Sequence, residues 1–194
     1  NISVILAHPN KDSFNHAIAS TIIETLEQKD TNSGSMTFML KILIPFFLFE
    51  FDKDVPLPSE IEQHCHELSN ADGIIIVHPN WWGQPPAILK GWVDRVIRPG
   101  QAFEFLEGDD GEGVPNGLLK AKSALVFNTS NTESQREQHV FGDPLETIRK
   151  NCIFDLCGVT TFYRRMFNIV VISTEEQRKR LLADVRQTIN RYFP

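Results

Sequence analysis

The 194-residue sequence is poor in cysteine and carries no excess of positive charge. Its three cysteines, Cys65, Cys152 and Cys157, are too few for a disulfide framework and are typical of a reducing compartment. The formal net charge of -6 argues against nucleic acid as a partner, because domains that bind nucleic acid usually carry a basic surface. Since no basic segment or cleavage site precedes the first apolar run, no signal peptide is visible and we expect a cytoplasmic protein.

The sequence also lacks a hydrophobic run long enough to cross a bilayer, which takes about 20 apolar residues. Its most apolar stretch, residues 42–49, is interrupted by Pro45 and preceded by Lys41. We therefore expect no direct membrane insertion. We interpret this stretch as a buried or interface-forming segment that follows a strand at 36–40. An exposed apolar patch of that size would favour contact with a second copy of the chain.

No group of residues has the spacing of a known metal site. His64, Cys65 and His66 lie in a predicted helix, 59–69, where residues two apart do not share a face. The acidic, glycine-rich segment 107–113 does not follow the ligand spacing of a twelve-residue calcium loop. We expect no metal site, and we interpret the acidic segment as a solvated surface loop.

What the chain does contain is a regular alternation of short apolar runs and amphipathic helices. Besides the strand at 36–40, apolar runs predict strands at 2–7, 73–77, 123–127 and within 160–171. Helical periodicity predicts helices at 14–27, 59–69, 87–98, 144–156 and 174–192. Ser13 is expected to cap the first helix, and Ser59 with Glu62 to form a capping box in the second. In the fourth helix, Cys152 and Cys157 are expected to lie in the core.

This alternation implies a single parallel sheet covered by helices on both faces. The length suits one domain over residues 1–194. Five strands suit the flavodoxin-like order 2-1-3-4-5, an α/β three-layer sandwich whose ligand lies at the switch point beside strands 1 and 3. The loops that follow strands 1, 3 and 4 are therefore expected to lie together at one edge of the sheet.

The loop after the first strand leads into a helix N-terminus, which favours anions because its free N–H groups and its dipole both attract negative charge. No glycine lies between His8 and Ser13, so the loop is neither a Walker loop nor a GxGxxG fingerprint. One interpretation is a single phosphate held by the backbone of Ser13, Phe14 and Asn15. The other is a capped helix that binds no ligand.

The loops after the third and fourth strands carry side chains suited to a planar ligand. The third-strand loop contains Trp81 and Trp82, and the fourth-strand loop, 128–132, is a run of five small hydrogen-bonding residues. Such a run at the end of a strand is a good cradle for a heterocycle or a phosphate. The alternatives are core packing for the tryptophans and a plain surface turn for the polar run.

Taken together, three motifs resemble the NAD(P)H:quinone oxidoreductase family. They are His8-Pro9 with Ser13-Phe14-Asn15-His16, the Pro79–Gly83 loop, and Lys90–Arg95. The family consists of flavodoxin-like flavoproteins and also includes the ancillary proteins of bacterial potassium-efflux systems. The resemblance covers residues 2–158. Two departures are the atypical segment 36–51 and the presence of Asn131 and Thr132 where many relatives have glycine.

The resemblance implies that the first loop meets the flavin phosphate, the aromatic loop meets the isoalloxazine ring, and the polar loop closes the other side. Transferred by matching position, the implied cofactor-binding residues are His8, Ser13, Phe14, Asn15, Pro79, Asn80, Trp81, Trp82, Gly83, Asn128, Thr129, Ser130 and Asn131. No catalytic residue is assigned, because the tyrosine of the Tyr–His pair found in some relatives has no counterpart in residues 135–142.

The activity implied by the resemblance is flavin-dependent NAD(P)H:quinone oxidoreduction, with hydride passing from NAD(P)H to flavin and then to a quinone-like acceptor. FMN is the expected cofactor, with FAD as the alternative, because no adenine-binding segment is visible. A homodimer is expected. The alternative functions are a flavin-bearing regulatory subunit of a potassium-efflux system and an electron carrier.

Overall fold

The computed structural model describes residues 1–29, 56–106 and 113–194. Four strands, Ile2–Leu6 (β1), Gly73–Pro79 (β2), Ser123–Thr129 (β5) and Thr161–Phe167 (β6), form a parallel sheet in the order β1-β2-β5-β6. Between β2 and β5, the short strands Phe103–Glu104 (β3) and Asn116–Gly117 (β4) form an antiparallel ribbon. The predicted parallel α/β fold is confirmed. The strand predicted at 36–40 and the apolar stretch behind it lie outside the described residues.

Helices cover both faces of this sheet. They are Phe14–Glu27 (α1), Ser59–Asn70 (α2), Ala87–Val96 (α3), Ser134–His139 (α4), Pro144–Arg149 (α5) and Glu175–Tyr192 (α6). The predicted Ser13 cap is confirmed, since its hydroxyl accepts the N–H of His16. Helix α3 ends at Val96, two residues before the predicted end, because Pro99 disfavours a helical conformation at the residue before it.

Two predictions about helix geometry are wrong. Ser59 is already inside α2, and the cap position is taken by Pro58, so the predicted capping box does not form. In the fourth predicted helix, α5 continues into a π turn at Lys150–Phe154. The wider turn rotates the following side chains relative to an α-helix. Cys152 is consequently exposed, although Cys157 is buried as expected.

The sheet separates two apolar cores. One lies between the sheet and the α2–α3 side, and the other lies between the sheet and the α1–α6 side. Ile18, Ile22 and Leu26 of α1 are fully buried in the second core. Each such side chain stabilises the fold by roughly 1.5–3 kcal/mol relative to an exposed one. This burial fixes α1 against the sheet and thereby places its N-terminus at the carboxyl ends of the strands.

The strand register brings the loops together. Leu6 pairs with Val77, and Pro79 pairs with Thr129, so β1, β2 and β5 end close to one another. The backbone N–H of Asn80 donates to the carbonyl of Thr129 at 2.7 Å, which ties the next two loops together just beyond the sheet. Among the helices that the structure describes, none is both long and apolar enough to cross a membrane.

Candidate functional site

A pocket of about 230 Å³ opens at the carboxyl edge of the sheet, where the loops after β1, β2 and β5 meet. A fourth segment, the loop after β6, completes it. Its lining residues are His8, Ser13, Phe14, Asn15, Pro79, Asn80, Trp81, Thr129, Ser130, Asn131, Val170 and Val171. The carboxyl edge of the described sheet is therefore concave, and open α/β sheets bind their ligands at this edge.

The N-terminus of α1 forms one side of the pocket. Ser13 caps the helix, and its hydroxyl also lies 3.2 Å from Nδ1 of His16. The N–H groups in the first turn of a helix have no partner within the helix, and Phe14 and Asn15 place this turn at the pocket. The helix dipole adds a partial positive charge here, so this side of the pocket is suited to an anion such as phosphate.

His8 connects this anion-binding side with the aromatic side. Its ring lies edge-on to the Trp81 ring at a centroid distance of 5.9 Å and to the His16 ring at 6.4 Å. Burial lowers the pKa of His8, and the neighbouring His16 lowers it further. The ring is therefore neutral near pH 7, and it can exchange hydrogen bonds with a ligand without adding a charge.

The aromatic side is a tight turn between Trp81 and Gln84. The two residues exchange backbone hydrogen bonds of 2.9 and 3.0 Å. The central residues, Trp82 and Gly83, have φ angles of 58° and 73°, the left-handed pattern of a type I′ turn. This backbone directs Trp81 to the pocket and leaves Trp82 99% exposed.

The loop after β5 closes the pocket from the other side. At the end of β5, Thr129 Oγ1 accepts the side-chain N–H of Asn15 at 3.0 Å, a buried link between this strand end and α1. The N–H of Ser130 donates to the carbonyl of Phe167, and Asn131 Oδ1 accepts the N–H of Val171 at 3.1 Å. These bonds join the β5 and β6 loops into one wall.

Three of the thirteen predicted residues do not line the pocket. Asn128 lies in β5 with its side chain on the opposite face of the sheet, where Oδ1 accepts Nη1 of Arg164 at 3.0 Å. The reason is strand alternation, which sends Asn128 and Thr129 to opposite faces. Trp82 and Gly83 are turned outward by the left-handed backbone of their turn. The other ten residues are brought together at the pocket.

The pocket also contains two residues that the motifs did not indicate. Val170 and Val171 follow β6 and line the pocket beside Asn131. A signal for them was available, because they lie at the carboxyl end of the range 160–171 in which the fifth strand is predicted, and the carboxyl ends of parallel strands share one edge. Their side chains give this part of the wall an apolar surface.

Behind the pocket, the opposite face of the sheet buries a polar cluster. His78 and Asn128 are neighbours in adjacent strands, and both are fully buried. Arg164 of β6 binds Asn128, Asp143 and Glu146 through its guanidinium. Burial lowers the pKa of His78 to about 3, and the Arg149 charge adds to this effect, so the imidazole is neutral in the folded protein.

Comparison with known proteins gives one family match over nearly the whole chain. A family model described as flavodoxin-like fold matches residues 1–191. An uncharacterized NAD(P)H oxidoreductase of Haemophilus influenzae is 31% identical over 185 residues, which cover 92% of this chain and 89% of that protein.

Two further proteins extend the comparison. The ribosyldihydronicotinamide dehydrogenase [quinone] of Rattus norvegicus is 34% identical over 143 residues, 70% of this chain, and the match spans 58% of that longer protein. An FMN-dependent NADH-azoreductase from Bacillus anthracis, solved in complex with FMN, superposes with a TM-score of 0.74 at 15% identity, covering 98% of this chain and 97% of that one. At this identity the structural likeness shows the fold.

Proposed function

The chain belongs to this flavodoxin-like family, and from that membership we propose that it is a flavin-dependent NAD(P)H:quinone oxidoreductase. The observation that carries the proposal is the convergence of the β1, β2 and β5 loops on one pocket. An anion-binding helix start, an aromatic turn and a polar loop lie around a single cavity. This combination suits a ligand that has a phosphate at one end and a planar heterocycle at the other.

The pocket residues fit FMN in their hydrogen-bonding capacity. Within the described residues, Asn15 Oδ1 and His16 Nε2 are buried and have no hydrogen-bond partner, although both lie beside the N-terminus of α1. Buried polar atoms are normally paired, so Asn15, which lines the pocket, supplies unused capacity there, while His16 Nε2 does so on the next residue of α1, outside the pocket lining. Ser13 and the first-turn N–H groups of Phe14 and Asn15 would hold the phosphate, with His8 next to them.

The remaining contacts are proposed for the ring. Pro79, Asn80 and Trp81 would form one wall, and residues 129–131 would form the other. Trp82 and Gly83 would contribute to the binding of the ring from the outer side of the same turn. We assign Asn128 an indirect role, because its side chain lies behind the wall. FMN is preferred over FAD, since the motifs offer a phosphate site and no adenine site.

Bound flavin would supply the exchange of hydride between NAD(P)H and a quinone-like acceptor. The chain's own residues orient the reactants and control their surroundings. Trp81, Val170 and Val171 present apolar surface to the pocket, so a bound ring that covers them would displace water and strengthen polar interactions inside the pocket. The positive end of α1 would balance the phosphate charge. The ring of His8 lies beside this site and would offer it a hydrogen bond.

We also propose the finer architecture and assembly. The described strands have the order required of strands 1, 3, 4 and 5 in a five-stranded 2-1-3-4-5 sheet, with the segment 36–40 as strand 2 and residues 1–194 as one domain. A homodimer is supported by exposed apolar side chains, which include Trp82, Val140, Phe141, Val171 and Ile172. A cytoplasmic location is supported by three free cysteines.

The proposal is tested by spectroscopy and steady-state kinetics on the purified protein. We expect it to show flavin absorbance or to acquire it with FMN, and to oxidise NADH or NADPH when a quinone such as menadione is present. Trp81→Ala is expected to weaken FMN binding more than Trp82→Ala, because only Trp81 lines the pocket. Protein that stays colourless with FMN, or that is loaded with FMN but shows no quinone-dependent turnover, would contradict the proposal.

A further inference from the structure

The side chain of Asn80 makes three hydrogen bonds: a long one from Nδ2 to Sδ of Met166 at 4.0 Å, and two shorter ones that lead in opposite directions. Its Oδ1 accepts the N–H of Gly83 at 3.0 Å, which closes the tight turn that carries Trp81. Its Nδ2 donates to Oε1 of Glu137 at 3.0 Å. One amide therefore holds the turn and connects it to another part of the chain.

Glu137 lies in α4, outside the pocket, and is only 1% exposed. Acidic side chains are rarely buried to this degree unless they have a partner. The backbone at the same residue is also engaged, because its carbonyl accepts the N–H of Asp143 at 2.9 Å. Asp143 in turn pairs with Arg164 of β6. Glu137 is thus fixed to the sheet from behind and bonded to the pocket turn in front.

We propose that Glu137 is a positioning residue, which sets the Trp81 wall of the pocket through the side chain of Asn80. This inference rests on the proposed function for its ligand, FMN. A hydrogen bond to a carboxylate is stronger than one between neutral groups, so Glu137 holds the amide in one orientation. That orientation presents Oδ1 to Gly83 and stabilises the left-handed turn on which the direction of Trp81 depends.

A charge-swap experiment tests this contact. Asn80→Asp places two carboxylates against each other, whereas Asn80→Asp combined with Glu137→Gln restores one donor and one acceptor with the polarity reversed. In the double variant, the carboxylate introduced at position 80 can still accept the Gly83 N–H with its second oxygen. We expect FMN affinity to fall about tenfold in the single variant and to return to within about threefold of wild type in the double variant.

Two further variants serve as controls. Glu133→Gln makes the same carboxylate-to-amide change as Glu137→Gln, but at an exposed position just before α4. The Glu133 side chain makes no capping bond to the helix, so this variant is expected to leave FMN affinity unchanged. Glu137→Ala leaves the Asn80 amide without its acceptor, and we expect affinity to fall several-fold. This variant adds no like charge, so it provides a test even if Asn80→Asp does not fold.

Hydrogen exchange of the backbone amides at 80–84 provides a second readout that needs no flavin. We expect the Gly83 N–H to exchange faster in Asn80→Asp and to regain protection in the double variant. Equal FMN affinities for the single and double variants would overturn the proposal. It would also be overturned if the exchange of the Gly83 N–H changed while both the FMN affinity and the visible circular dichroism of the bound FMN stayed the same. If the wild-type chain binds no FMN, the proposed function fails, while exchange still reports whether Glu137 positions the turn.

Discussion

At the carboxyl edge of the sheet, the two faces bury opposite kinds of side chain. Val77, Phe127 and Phe167 point towards α1 and α6, and the Phe167 ring supports the pocket residue Phe14 at 6.3 Å. On the other face, His78 and Asn128 lie in the polar cluster around Arg164. Successive residues of the same strands supply both sets. The comparison shows that one strand end can present an apolar support for a pocket and a polar anchor for the loops around it.

The largest effect on stability is expected from the loss of Arg164, because the polar face depends on its charge. Arg164→Met would leave Asp143, Glu146 and Asn128 without their partner, and removal of one member of a buried ion pair typically costs about 3–5 kcal/mol of unfolding free energy. Chemical denaturation of wild type and variant would measure this loss of unfolding free energy. The neighbouring Arg165 is the matched control, because its pair with Asp184 is exposed and is worth at most about 1 kcal/mol. Similar losses for Arg164→Met and Arg165→Met would contradict the distinction between the two faces.

Much of this arrangement follows from sequence patterns alone. The β-branched runs and helical periodicity predict the parallel α/β fold, and Ser13 predicts the start of α1. The topology then predicts that three loops meet. Which side chains enter the pocket depends on details that composition does not contain. A run of five small polar residues does not show that Asn128 faces backwards, and the left-handed turn that exposes Trp82 is set by local backbone geometry.

The polar cluster was harder to predict because it is formed by distant parts of the chain. Glu137 and Arg149 lie on short helices, where charged residues usually face solvent, yet both are only 1% exposed. Their burial arises when the segment 133–149 folds over the ends of β2, β5 and β6. A histidine and an asparagine at the ends of apolar strands were the available signal. Only the strand register shows that they are neighbours.

A further effect, which is small near pH 6 and grows as the solution becomes more acidic, is expected from the polar face. His78 has a folded-state pKa of about 3, below the unfolded value of 6.5, so between these values the unfolded chain binds a proton that the folded chain does not. Stability is therefore lost as the pH falls through this window, by about 1.4 kcal/mol per pH unit. His78→Gln should remove this contribution and flatten the acid side of the stability profile. His66→Gln on the exposed side of α2 is the control, and equal slopes in wild type and His78→Gln would contradict the prediction.

The smallest effect concerns the turn that lies between the two faces. Trp82 holds a left-handed φ of 58°, a conformation that costs a residue with a Cβ roughly 1 kcal/mol and costs glycine little. Trp82→Gly should therefore raise the unfolding free energy by about 1 kcal/mol, because the ring is 99% exposed and its loss removes little packing. Trp82→Ala separates the effect of losing the ring from the effect of losing the Cβ, since it removes only the ring. Its unfolding free energy should remain near that of wild type. If glycine and alanine gave equal stabilities in thermal or chemical unfolding, the turn would carry no strain. The anchoring of Asn80 by the polar face would then not be needed to hold it.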